Sequence, residues 1–160
     1  MFKKASFKLI FDILFYLVIL DTASTLILSL IEVFSVNHTS ESLVDYPVFF
    51  ISNLVFSIAF VFVAFHLRKV AQLFIVNGEF KSLNLVKHLK RCGQFLVVLG
   101  LSLMARYLAS PNIIEIATEK VDPSNSVLNL LLIVIGLSFI RLSKMLKLSI
   151  EAKQAQDLTI

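Results

Sequence analysis

The chain has 160 residues, of which 58% are hydrophobic and 16% charged, with a formal net charge of +4. Soluble domains are ~45–50% apolar and ~25% charged. A core of this size cannot hide such an excess, which sets aside a soluble all-helical domain and points to a single membrane-embedded one.

The first apolar stretch runs from Leu9 to about Val36 and follows a basic start at Lys3, Lys4 and Lys8. It outlasts the ~7–15-residue apolar region of a signal peptide. Asp12 and Asp21 interrupt it and no small-residue cleavage site follows, so it reads as an uncleaved helix. Asn37-His38-Thr39 has the pattern of a glycosylation sequon, which has meaning only in a eukaryotic secretory pathway. A second stretch, Tyr46 to Leu67, contains Asn53 but no charged residue at all.

After Leu67, Val70, Leu73 and Phe74 recur at helical spacing, so the second helix is expected to continue past the membrane. Asn77-Gly78 reads as its stop, since glycine supplies the left-handed residue that ends a helix. Ser82 is a candidate N-cap for the next helix. There Leu85, Val86 and Leu89 form an apolar side, and Asn84, Lys87, His88 and Arg91 a wet one. This helix runs without a breaker into a third span, Cys92 to Ser110. A fourth covers about Val127 to Leu142. Beyond it, Leu142, Met145, Leu146 and Ser149 are expected to line one face, and residues 154–160 to be frayed or loosely docked. Pro47, Pro111 and Pro123 punctuate the other connections. Each span approaches the ~20 residues needed to cross a bilayer.

The fifteen Lys and Arg are unevenly placed. Three lie at the N-terminus, six between spans two and three (Arg68, Lys69, Lys81, Lys87, Lys90, Arg91) and four in the C-terminal segment (Arg141, Lys144, Lys147, Lys153), while the loop after span three has only Lys120 and Arg106 lies inside span three. Basic residues in short loops stay cytoplasmic. With four spans all three basic segments fall on one side, so both termini and the central loop are expected in the cytoplasm. The acidic loops, with Glu41, Asp45, Glu115, Glu119 and Asp122, fall outside. Each Lys or Arg near an anionic leaflet contributes ~1 kcal/mol of attraction, so the positive charge is explained by the lipid bilayer, and direct nucleic-acid binding is not expected.

"VLGLSLMAR" (98–106) echoes "VIGLSFIR" (134–141). Both place Gly-Leu-Ser near mid-span, and Gly100 and Gly136 are expected to let spans three and four cross closely. Ionisable residues inside a membrane are candidate functional sites. Asp21 and Arg106 lie at similar depths and form a candidate intramembrane ion pair, structural or part of a proton or cation site lined by Thr22, Ser24, Thr25 and Asn53. Asp12 and Glu32 lie near span ends, where water reaches them. His38, His66 and His88 are dispersed and no metal-ligand spacing occurs. There is no phosphate-binding glycine loop and no nucleophile elbow. Neither an enzyme nor a cofactor is expected. Cys92, the single cysteine, reads as an apolar filler.

Gly78-x-Phe80-x-x-x-Asn84-x-x-x-x-Leu89, followed by Gly93, resembles a signature of the domain-of-unknown-function 2975 family. The closing Gln156-Asp157-Leu158-Thr159-Ile160 is similar to that family's ending. One residue, Glu79, separates Gly78 from Phe80, where the family often has two. The resemblance implies a small bacterial inner-membrane protein with four spans and no assigned activity. Members are often encoded beside a small helix-turn-helix regulator, which implies such a regulator as partner.

The expected architecture is thus all-α: a polytopic membrane protein with four transmembrane helices in one bundle, helices two to four extended into the cytoplasm. The expected function is a non-enzymatic docking protein. Its cytoplasmic face comprises Asn77–Arg91 and Glu151–Ile160, with Gly78, Phe80, Asn84, Lys87, Arg91, Asp157, Leu158 and Thr159 at its centre. The alternative is a small transporter or channel subunit using Asp21 and Arg106, for which four short spans would call for several copies.

Overall fold

The computed structural model describes residues 2–35, 45–76, 82–109 and 124–157. All of them apart from Ser82 are helical. Helix α1 is Phe2–Ser35 and α2 is Asp45–Ala71, which continues as one π-helical turn, Gln72–Val76. Helix α3 is Leu83–Ala109 and α4 is Ser124–Asp157. Ser82 caps α3: its Oγ accepts the Leu85 N–H at 3.1 Å, and its carbonyl accepts the Val86 N–H at 3.2 Å. That is the N-cap arrangement expected from the sequence. The Asn77-Gly78 stop lies outside the described residues.

Three helices are long and apolar enough to cross a membrane, over Lys8–Ile31, Phe50–Phe74 and Val127–Asp157. α3 is not among them. Its first turns carry Lys87, Lys90 and Arg91, and the third expected span, 92–110, runs past the residues whose side chains are described.

The distribution of side-chain size agrees with a lipid environment. Large apolar residues point outward along α1 and α4, with Leu20 68% and Leu130 51% exposed. The interior combines larger apolar residues, Val63, Leu96 and Leu99, with small ones, Ser57, Ala59, Cys92, Gly93, Gly100 and Gly136. In water that order would expose apolar surface at ~25 cal/mol per Å². In hydrocarbon it carries no such penalty, and small residues let helices approach closely.

Successive helices are antiparallel neighbours. Phe15 meets Phe65 while Asp12 meets Arg68, so α1 climbs as α2 descends. His66 meets His88 and Phe62 stacks on Phe95 at 4.8 Å, which fixes α2 against α3. The extensive interfaces are α2–α3 and α3–α4, and α1 is attached along α2 and its π turn.

The glycine crossing joins α3 and α4, with a different partner for Gly136 than the echo suggests. A methyl group placed on Gly136 would lie 2.8 Å from the Gly93 carbonyl oxygen, and one on Gly93 2.6 Å from that of Gly136. Gly100 instead faces Ile133 and the Asn129 carbonyl. Antiparallel registry explains the pairing: moving from Gly93 to Gly100 along α3 means moving back along α4, from Gly136 to Ile133 and Asn129. Beyond this crossing, α4 buries Ser143 and Ile150. Leu142, Met145 and Ser149, expected on the packed face, are exposed.

Candidate functional site

The antiparallel order brings the start of α1, the end of α2, the start of α3 and the end of α4 to one end of the molecule. Lys8, Arg68, Lys69, Lys87, Lys90, Arg91, Arg141, Lys144, Lys147 and Lys153 all stand in these segments. At this end the helices are tied together by polar side chains as well as by packing.

The first tie is between α1 and α2. Arg68 donates its Nε–H to Asp12 Oδ1 at 2.6 Å, with the two side chains 24% and 28% exposed. The Arg68 guanidinium also lies 5.2 Å from the Phe15 ring centroid, a cation–π contact that covers the ion pair on one side. Asp12 therefore has a protein partner, where its place near a span end suggested water alone.

The second tie is between α2 and α3. His66 Nδ1 and His88 Nδ1 are 3.0 Å apart, one donating and the other accepting according to tautomer. His66 is buried, with Phe65 edge-on to it at 5.3 Å and Phe95 stacked at 5.8 Å. His88 was expected on the wet side of α3. It is turned inward, half-buried, while its neighbours Asn84, Lys87 and Arg91 are exposed as expected. Burial holds the His88 pKa below the ordinary imidazole value of 6.5, and the charges of Lys69, Arg91 and Lys87 lower it further. Leu85, Val86 and Leu89 form the buried side of α3, as their spacing predicts.

Of the other residues singled out in the docking face, Asp157 is exposed on the last turn of α4. Gly78, Phe80, Leu158 and Thr159 lie outside the described residues. Residues 151–157 continue as helix and are exposed throughout, where fraying or loose docking was expected from residue 154. The single ion pair of the tail among the described residues joins Lys147 and Glu151 at 3.4 Å, with both side chains more than half exposed.

Asp21 sits mid-way along α1 and is exposed. The Arg106 side chain lies outside the described set, and α1 packs chiefly on α2 rather than on α3. Thr22 and Thr25 donate their hydroxyls to carbonyls one turn back on α1, as does Ser24, so these donors are engaged within the helix. Asn53 Oδ1 and Ser57 Oγ are buried one turn apart on α2 and have no hydrogen-bond partner among the described residues. Ser102 and Asn129 are also buried, in the half of the molecule away from the basic end. Among the described residues, no group of three or more His, Cys, Asp or Glu is placed to hold a metal ion.

Comparison with protein-family models, with curated proteins and with solved structures finds no match to this chain.

Proposed function

We propose that the chain is a four-span inner-membrane protein whose cytoplasmic end docks a soluble partner, without enzymatic activity of its own. The observation that carries this reading is α4, an unbroken helix of 34 residues. Its length is about 51 Å at 1.5 Å per residue, against a hydrocarbon core of ~30 Å. It therefore outruns the membrane by several turns, and its last seven residues, Glu151–Asp157, are exposed on every side. A largely polar helical end with no buried residue suits an external partner.

The concentration of Lys and Arg at the same end supports a cytoplasmic placement of both termini and of the α2–α3 connection. With Asn84, Lys87 and Arg91 exposed at the start of α3, the end offers a cationic rim beside a helical post. The resemblance to the domain-of-unknown-function 2975 family points to a small helix-turn-helix regulator as the occupant.

Purifying the intact protein from its native membrane in mild detergent, and identifying bound proteins by mass spectrometry, tests this. The expected result is a stoichiometric DNA-binding regulator, lost on deleting residues 151–160 while insertion is retained. A truncated protein that binds everything the intact one binds would remove the tail from the docking face.

A second reading, a small transporter or channel subunit, draws on Asn53 Oδ1 and Ser57 Oγ, which are buried with no hydrogen-bond partner among the described residues. An apolar span has no need of unpartnered polar atoms at its centre. On this reading Asp21→Asn abolishes a proton or cation flux in reconstituted vesicles and leaves the protein folded, and an active Asp21→Asn protein ends it.

A further inference from the structure

The His66–His88 contact is a joint between two helices made by two titratable groups. Its geometry sets how many protons it tolerates. A hydrogen bond between two imidazole nitrogens needs one N–H and one lone pair. The neutral pair supplies both. So does the pair with one extra proton, because one Nδ1 still carries a lone pair. With two extra protons both Nδ1 atoms carry hydrogen, and two N–H groups face each other across the same 3.0 Å. Attraction then becomes repulsion between like charges.

The surroundings give a doubly protonated pair little relief. His66 is 3% exposed, so solvent scarcely reaches it. Lys69 on α2 and Lys87 and Arg91 on α3 act on His88, and Arg91 acts on His66 as well. On α1 the acid at this level, Asp12, is engaged by Arg68. On α4 the charges at this level are Arg141 and Lys144, both exposed and both positive. Every packed neighbour therefore contributes positive charge or a carboxylate already in use.

We propose that His66 and His88 form a proton-operated latch between α2 and α3, closed with at most one extra proton and opened when both imidazoles are protonated. Opening parts the two helices at the basic end, next to the exposed start of α3. The His88 pKa, held down by burial and by the three cations, keeps the latch closed around neutral pH. A base with a depressed folded-state pKa loses its contribution as pH falls, and the loss begins at the unfolded value of 6.5. The latch is independent of which partner docks.

Cys92 is a built-in reporter. It is the single cysteine, it is 0% exposed, and it follows His88 by one helical turn on the same face. Parting α2 from α3 uncovers it. The experiment follows its modification by a methanethiosulfonate reagent in the intact protein, from pH 8 down to pH 5. Each rate is divided by that of SDS-unfolded protein at the same pH, which removes the chemistry of the thiol itself. The normalised rate is expected to rise by about tenfold or more below pH 6.5, the equivalent of one pKa unit of differential protonation.

The His66→Asn/His88→Asn double variant places amide groups near the two Nδ1 positions without a titrating ring, and its profile is expected to be flat. A flat wild-type profile overturns the proposal, as does a double variant that keeps the acid rise. Nitrogen NMR of histidine-labelled wild-type protein supplies a readout that needs no variant. Both imidazoles are expected to titrate across the same pH range as the rise, and a rise complete before either titrates overturns the latch.

Discussion

Helix α4 is held to α3 at the level of the backbone, whereas α1 is held to α2 through side-chain tips. At the first seam Gly93 and Gly136 bring carbonyls to within a methyl group's reach of the opposite helix. At the second, Arg68 stretches to Asp12 and lies over Phe15, and Phe15 touches Phe65 at 6.2 Å. The difference is one of tolerance. A backbone seam fits only one helix spacing, because no flexible atom stands between the helices. A seam of long side chains adjusts, and it exchanges tight van der Waals contact for a few directed polar bonds. In a membrane, where apolar surface gains nothing by leaving lipid for protein, these two devices do most of the work that hydrophobic burial does in water.

The sharpest way to break the comparison is to enlarge the backbone seam. Gly136→Val puts a branched side chain where even a methyl lies 2.8 Å from the Gly93 carbonyl, 2.9 Å from Val97 and 3.0 Å from Leu96. Overpacking of this kind costs about 3 kcal/mol or more, and unfolding of the purified protein in SDS measures it. Gly100→Ala is expected to cost less, about 1–2 kcal/mol, because its nearest obstacle is the flexible Ile133 side chain at 2.5 Å. Equal losses at the two sites would show that the crossing is not centred on Gly93 and Gly136.

Breaking the side-chain seam is expected to do less. Asp12→Ala strands the Arg68 guanidinium. Breaking a buried pair costs ~3–5 kcal/mol and an exposed one ~0.2–1. A pair about one quarter exposed falls between them, at about 2 kcal/mol. The Asp12→Ala/Arg68→Met double variant should recover much of that loss, since the cost of the single change is a charge without a partner. A double-mutant cycle in SDS unfolding gives the coupling, and a coupling near zero would mean that α1 is held by Phe15 and Phe65 alone.

These two seams were not equally legible. The glycine crossing could be read because small residues at mid-span have one main use in a membrane helix. Its pairing could not, because that depends on registry between helices, and no spacing within one helix reports it. The same limit hid both polar ties. Asp12 and Arg68 are 56 residues apart in the chain, and nothing local marks them as partners. His66 and His88 carried a faint signal. Each stands eleven residues from Asn77, the expected helix stop, so a symmetric hairpin folded there would set them face to face. Helical wheel position worked against that reading, since His88 was counted with Asn84, Lys87 and Arg91 on the polar side of α3. Its burial shows that an imidazole can join either face, and that the opposite helix decides.

The α2–α3 seam lies between the two extremes, and pH is the variable that should move it. Stability conferred by the neutral His88 is present above pH 6.5 and declines as pH falls through that value, in the direction set by its depressed pKa. SDS unfolding at pH 7.5 and pH 5.5 should show wild type weakened in acid. His88→Asn should be less sensitive to the same change. Equal acid sensitivity in the two proteins would show that His88 does not carry the effect.

The smallest effect is expected where a helix has neither kind of seam. Beyond Ile150, which is 6% exposed, no described residue of α4 is buried. The tail's ion pair, Lys147 with Glu151, is exposed and has Lys before Glu, the weaker order on a helix. Surface changes away from packed features stay within about 0.5 kcal/mol. Deleting residues 151–160 should therefore leave SDS unfolding unchanged to that margin. The result separates two meanings of an exposed helical end. If stability is untouched and the co-purifying partner is lost, the tail is a post built for something outside the chain. If stability falls by much more than that margin, the tail braces its own helices, and docking must be sought on the start of α3, where Asn84, Lys87 and Arg91 face outward.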